Sequence, residues 1–159
     1  MNQLSLSKWL KVIILCAGLI GIAIYCIVFP VYGKDIANMY PEFSQAYWPW
    51  LIFIWITAVP CYCVLFFSWR IACSIGNDHS FSMENVNNLK RISYLAASDS
   101  LILFAGNIIF LFLNMNHPSV LLASLIIVFT GIAIAVTSAI LSHFVANAVA
   151  MKEENDLTI

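Results

Sequence analysis

The sequence predicts an all-α membrane protein: four transmembrane helices in a bundle, both termini cytoplasmic, and a short interfacial helix before the third span. Three observations lead there. Only 9% of the residues are charged and 62% are hydrophobic, whereas a soluble domain carries about 25% charged residues. Uncharged runs extend over 22 residues from Val12 to Gly33, 27 from Phe43 to Trp69 and 52 from Ser100 to Met151. The basic residues are gathered at one end of these runs. With a mean hydropathy of +0.92, the chain lacks the charge to build a water-facing surface.

The first span is expected over 10–32. Its apolar stretch is longer than the roughly 7–15 residues of a signal-peptide core, and Val31-Tyr32-Gly33 makes a poor cleavage site, so it reads as a retained helix. The second span, 47–69, carries Pro60 in its interior. A kink is expected there, because proline lacks an N–H and crowds the preceding turn. The 52-residue run that follows cannot be one span. As a single helix it would reach ~78 Å, against a hydrocarbon layer roughly 30 Å thick. It turns at "NMNHPS", Asn114 to Ser119, giving spans over 93–113 and 120–143. No period-two alternation argues for strands.

Charge orients the array. Lys8, Lys11, Arg70, Lys90, Arg91 and Lys152 fall on one side and Lys34 alone on the other. By the positive-inside rule the termini, the loop 70–92 and the tail 144–159 are cytoplasmic. Trp9, Trp69 and Tyr94 mark the inner boundary, and Tyr32, Tyr47, Trp48 and Trp50 the outer one. Within 70–92, Ser82 is placed to cap a helix and Glu84 suits its positive end. This helix would lie at the interface and feed the third span, with Lys90 and Arg91 at headgroup level.

Lipid does not drive helices together, so small and polar side chains must form the seams. Helix four has Ser124, Gly131, Ala135, Ser138 and Ser142 on one stripe. Helix three has Ser93, Ser100, Asn107 and Asn114 seven apart, and helix one offers Ala17-xxx-Gly21. Packing is the plainer reading of all three, ahead of a polar permeation path. The cysteines, Cys16, Cys26, Cys61, Cys63 and Cys73, fall in spans or on the cytoplasmic side. They form no extracellular disulfide framework, and "CYC" at 61–63 lacks the spacer of a redox or zinc pair.

Asp99 is the one carboxylate inside a span. Counted from the inner boundary, it stands level with Cys16, with Tyr62 and Cys63, and with Ser138 to Ser142. Tyr62, Ser138 or Ser142 can donate a hydroxyl to it, and Arg70 or His143 can reach it by bending inward. The plain expectation is a tie between helices. A proton or cation site, with Asn107 further along the path, is the sharper alternative. A metal site of Asp99, Cys16, Cys63 and His143 has the ligand types, but nothing in the sequence says that they face one another. No metal or cofactor is expected.

The motifs "FSMEN" (Phe81 to Asn85), "LKRISYL" (Leu89 to Leu95) and "ENDLTI" (Glu154 to Ile159) occur in an order that resembles a bacterial four-span membrane family, domain of unknown function 2975. The resemblance implies the same span number and inward loop, and it supplies no catalytic or ligand residues. It also implies genomic company. Such genes often neighbour one for a small helix-turn-helix regulator of the Cro/C1 type. With no nucleophile motif, glycine-rich phosphate loop or metal spacing, an enzyme is not expected.

The expected function is therefore regulatory. A cytoplasmic partner such as that regulator would dock on Phe81, Glu84, Asn85, Lys90 and Arg91 and on the tail residues Glu154, Asn155, Asp156 and Leu157. The chain itself would touch lipid and not nucleic acid. The alternative is a small transporter or transporter subunit, working as a homo-oligomer, with Asp99 as its coupling carboxylate.

Overall fold

The computed structural model describes residues 3–77 and 80–156, the side chains of 155 and 156 excepted. Among the described residues four helices are long and apolar enough to cross a membrane. Helix α1 runs from Gln3 to Met39, α2 from Tyr47 to Gly76 after a 3-10 turn at Pro41–Ala46, α3 from Met83 to Phe112, and α4 from Pro118 to Asp156. Each expected apolar stretch falls on one of them. The 30 residues of α3 measure about 45 Å, more than a bilayer core of roughly 30 Å.

Local sequence accounts for the irregularities. Helix α1 is α-helical from Gln3 to Ala23, widens to a π-helix over Ile24–Val28, and resumes as α-helix over Phe29–Met39. In the widened turn the N–H of Phe29 donates five residues back, to Ile24 O. The next donor in that pattern would be Pro30, which has no N–H, so the Tyr25 carbonyl loses its helical partner. The indole Nε1 of Trp55 on α2 supplies one at 3.1 Å. In α2 the helix continues unbroken through Pro60.

Helix α3 opens as expected, with Ser82 in extended conformation and its Oγ accepting from the Asn85 N–H at 3.3 Å. The separate interfacial helix is not seen. Residues 83–92 are the first turns of α3, since neither glycine nor proline interrupts the run before Gly106. At the far end Asn114 takes a left-handed conformation, φ 54°. Its N–H donates to Leu111 O at 3.1 Å and that of Met115 to Phe110 O at 2.9 Å. This is a Schellman stop, with asparagine where glycine is usual.

The helices do not close into the expected bundle. Packing is sequential: α1 on α2, α2 on α3, and α3 on α4, the last pair the most extensive. No packing of α1 on α3 or α4, or of α2 on α4, occurs among the described residues. In lipid an uncovered apolar face costs little, so pairing follows the seams alone. The α3–α4 seam is built as its stripe suggests: Ser100, Asn107, Ser124, Ala135, Ser138 and Ser142 are all buried. A Cβ on Gly131 would collide with Ser100 Oγ, which registers the two helices at that level. By contrast, α1 buries only Ser7.

Candidate functional site

Asp99 is the seventeenth of the 30 residues of α3, near the middle of the helix. Its neighbours are not the ones that depth counting selects. The Cys61 thiol donates to Asp99 Oδ2 at 3.3 Å, and the Tyr25 hydroxyl donates to Cys61 Sγ at 3.8 Å. The result is a line of donors crossing three helices, from α1 through α2 to α3, and ending on the carboxylate. The other oxygen, Oδ1, is buried with no hydrogen-bond partner among the described residues. A thiol is a weak donor, and an unpaired acceptor keeps its full desolvation cost. Chemically, Oδ1 is a place for a proton or a cation to go.

Tyr62 points the other way and donates to Gly18 O at 3.0 Å on α1. A Cβ on Gly21 would come within 2.8 Å of the same hydroxyl, so a small residue is needed there. Ser138 and Ser142 also miss Asp99. The register that sets Ser100 against Gly131 places them seven and eleven residues further along α4, about two and three turns away. Ser142 instead donates to Ala139 O at 2.7 Å. Arg70 is engaged elsewhere, 2.6 Å from Glu84. Cys16, Cys63 and His143 do not gather round Asp99; among the described residues no three His, Cys, Asp or Glu side chains converge.

Asn107 is 1% exposed and fully employed. Its amide donates to Leu103 O at 2.9 Å, and its Oδ1 accepts from Asn116 Nδ2 at 3.1 Å. Asn116 Oδ1 in turn accepts the His117 N–H at 2.9 Å. Trp50 Nε1 donates to Met115 O at 2.8 Å, tying the same turn to α2. Asn107 thus holds the α3–α4 connection.

At the other end of the molecule, Asn85 is a correction. It is 2% exposed, with its Nδ2 donating to Ser74 Oγ and to Ser80 O, both at 3.0 Å. Its position after the Ser82 cap turns it inward, where it braces the turn and presents nothing to a partner. Phe81, Glu84, Lys90, Arg91 and Glu154 are exposed. Leu157 lies outside the described residues, as do the side chains of Asn155 and Asp156. Sequence reasoning missed Tyr25, Cys61 and Asn116. Only the last left a trace, as a polar residue in the turn.

Comparison with known proteins settles the family. The family described as protein of unknown function DUF2975 matches residues 32–159. The chain belongs to this family. It is also 28% identical over 161 residues, covering all of both chains, to the uncharacterized membrane protein YoaS of Bacillus subtilis strain 168. No solved structure matches it. The four long apolar helices fit a four-span family, and the membrane description of the relative agrees with them.

Proposed function

We propose that this member of the DUF2975 family is a non-enzymatic regulatory protein of the bacterial cytoplasmic membrane. Both termini and the turn between α2 and α3 face the cytoplasm, where the chain holds or releases a soluble protein. The reading is carried by the exposure of Phe81 and Met83, 58% and 53%, on a braced turn. The Ser82 cap, the two bonds from Asn85 and the Arg70–Glu84 pair hold the backbone beneath them. Large apolar side chains on a preformed turn lose little ordering entropy on binding. Lys90 and Arg91 supply the charge that a partner's orientation needs. The partner's class follows from the family resemblance: a small helix-turn-helix regulator, which would itself contact DNA.

The test is co-purification of the full-length chain, in detergent, with the regulator encoded beside it. Capture is expected to fall at least about tenfold in the double variant Phe81→Asp, Met83→Asp, the scale of losing one buried anchor. Capture that stays at the wild-type level removes the turn from the interaction. The same experiment without residues 152–159 assigns or dismisses the tail.

One observation favours a second reading, a transporter or transporter subunit acting as a homodimer. The unpartnered Asp99 Oδ1 stands at the end of a three-helix line of donors, and intramembrane carboxylates commonly mark proton or ion paths. Transport that persists in Asp99→Asn sinks this reading.

A further inference from the structure

Six residues of α2 spaced at i, i+1, i+4, i+5, i+8 and i+9 form an apolar groove of about 610 Å3: Ala58, Val59, Tyr62, Cys63, Phe66 and Phe67. The spacing puts them on one stripe of a helix. The groove opens outward, since Val59 and Phe66 are 63% and 59% exposed. From Ala58 to Phe67 it runs about 14 Å, close to half of a hydrocarbon layer of roughly 30 Å. It is therefore one leaflet long.

Its end is not apolar. The guanidinium of Arg91, from α3, sits 5.2 Å from the centroid of the Phe67 ring. A cation over an aromatic face is held in place there while its N–H donors stay available. No ion pair joins Arg91 to a carboxylate among the described residues, whereas Arg70 is committed to Glu84. Lys90, exposed beside it, adds a second positive charge.

We propose that this groove seats an acyl chain of an anionic phospholipid, whose phosphate is held by Arg91. Length and apolarity match the chain; the anchored guanidinium matches the phosphate, which it can grip with two parallel N–H donors. A free phosphate leaves the groove empty, and a zwitterionic lipid brings no net charge to the two cations. The site shares Lys90 and Arg91 with the surface offered to the soluble partner, but its groove lies apart from the turn at Phe81, and lipid retention reads it with no partner present.

Native mass spectrometry of the full-length chain, released from detergent with phosphatidylglycerol or phosphatidylcholine, tests the proposal. Phosphatidylglycerol is expected to be retained about tenfold better, the scale of one charge-assisted contact. Arg91→Gln should reduce it to the phosphatidylcholine level, and Arg70→Gln should leave it unchanged. Because Arg91→Gln also removes the ring contact, Val59→Trp tests the groove alone and should lower retention of both lipids. Equal retention of the two lipids by the wild-type chain, a preference surviving Arg91→Gln, or retention unchanged in Val59→Trp would each overturn the assignment.

Discussion

Along the α3–α4 seam, buried Ser100, Asn107, Ser124 and Ser142 each spend a donor on a carbonyl one turn back in their own helix. Across α1, α2 and α3 the arrangement is different. Tyr25 and Cys61 reach other helices to find acceptors, and Asp99 still keeps one buried oxygen unpaired. Both regions place polar atoms among apolar helices. In the seam, self-satisfied serines leave their helices free to approach, so contact is governed by shape. In the Asp99 line, polarity itself spans the helices and remains incomplete. The difference separates glue from a group with something left to bind.

Breaking the seam should produce the largest effect. Gly131→Val drives a branched side chain into Ser100 Oγ, and overpacking of this kind costs about 1–3 kcal/mol, sometimes more. The folded fraction in detergent, followed by circular dichroism on heating, should fall sharply. Gly131→Ala should cost less, and Ser100→Ala in the same chain should recover most of that loss. If Gly131→Val melts with the wild type, close approach is not what holds α3 to α4.

Asn107→Leu comes next. It takes the Oδ1 acceptor from Asn116, 8% exposed, and leaves its amide only the longer bond to the Asn107 carbonyl, 3.3 Å. A buried amide left wholly unpaired would cost about 1–3 kcal/mol, while interhelical hydrogen bonds in membranes average only about 0.6. A loss of about 1–2 kcal/mol is therefore expected, read as a lower melting temperature, and Asn116→Leu in the same chain should add little to it.

The two regions also differ in how far the sequence discloses them. The stripe Ser124, Gly131, Ala135, Ser138 and Ser142 and the heptad spacing of Ser100 and Asn107 are properties of single helices, visible as periodicity. The Ser82 cap and the stop at Asn114 depend on a few adjacent residues and are equally legible. The environment of Asp99 depends on three helices at once. Choosing Cys61 over Tyr62 requires the rotation of α2, and choosing Tyr25 requires the level of α1 after its π-turn at Ile24–Val28. Counting depth from a charge boundary fixes neither, and α3 begins about ten residues before the boundary assumed for the count. The sequential packing of α1 to α4 was hidden for a related reason: four apolar helices contain no statement of which faces stay uncovered in lipid.

An effect of similar size sharpens the boundary of the seam. Asn114 holds φ at 54°, a conformation that costs a β-branched residue roughly 1–2 kcal/mol. Asn114→Val should lower stability by about that amount. Asn114→Gly should match or exceed the wild type by a few tenths of a kcal/mol, on the order expected of glycine at this position. Equal melting of the two variants would mean that the turn is set by Asn116 and Trp50, with no contribution from the helix stop.

The smallest expected change is the most telling. Asp99→Leu removes a carboxylate that, among the described residues, accepts from a thiol alone and has no partner for Oδ1. A charge at the bilayer centre carries an insertion penalty of roughly 3 kcal/mol, and one nearer the boundary, as at Asp99, carries less of it. Thermal stability should therefore stay within about 0.5 kcal/mol of wild type or rise, and Cys61→Val should behave alike, because it loses only a weak donor to Asp99 and a long bond accepted from the Tyr25 hydroxyl at 3.8 Å. Were Asp99 a tie of the same kind as Asn107, Asp99→Leu would instead lower the melting temperature by a comparable margin. That result would move Asp99 into the class of the seam and leave the transport reading without the observation that favours it. A neutral or stabilising substitution means that folding does not need the carboxylate, and that its presence has to be explained by what it binds.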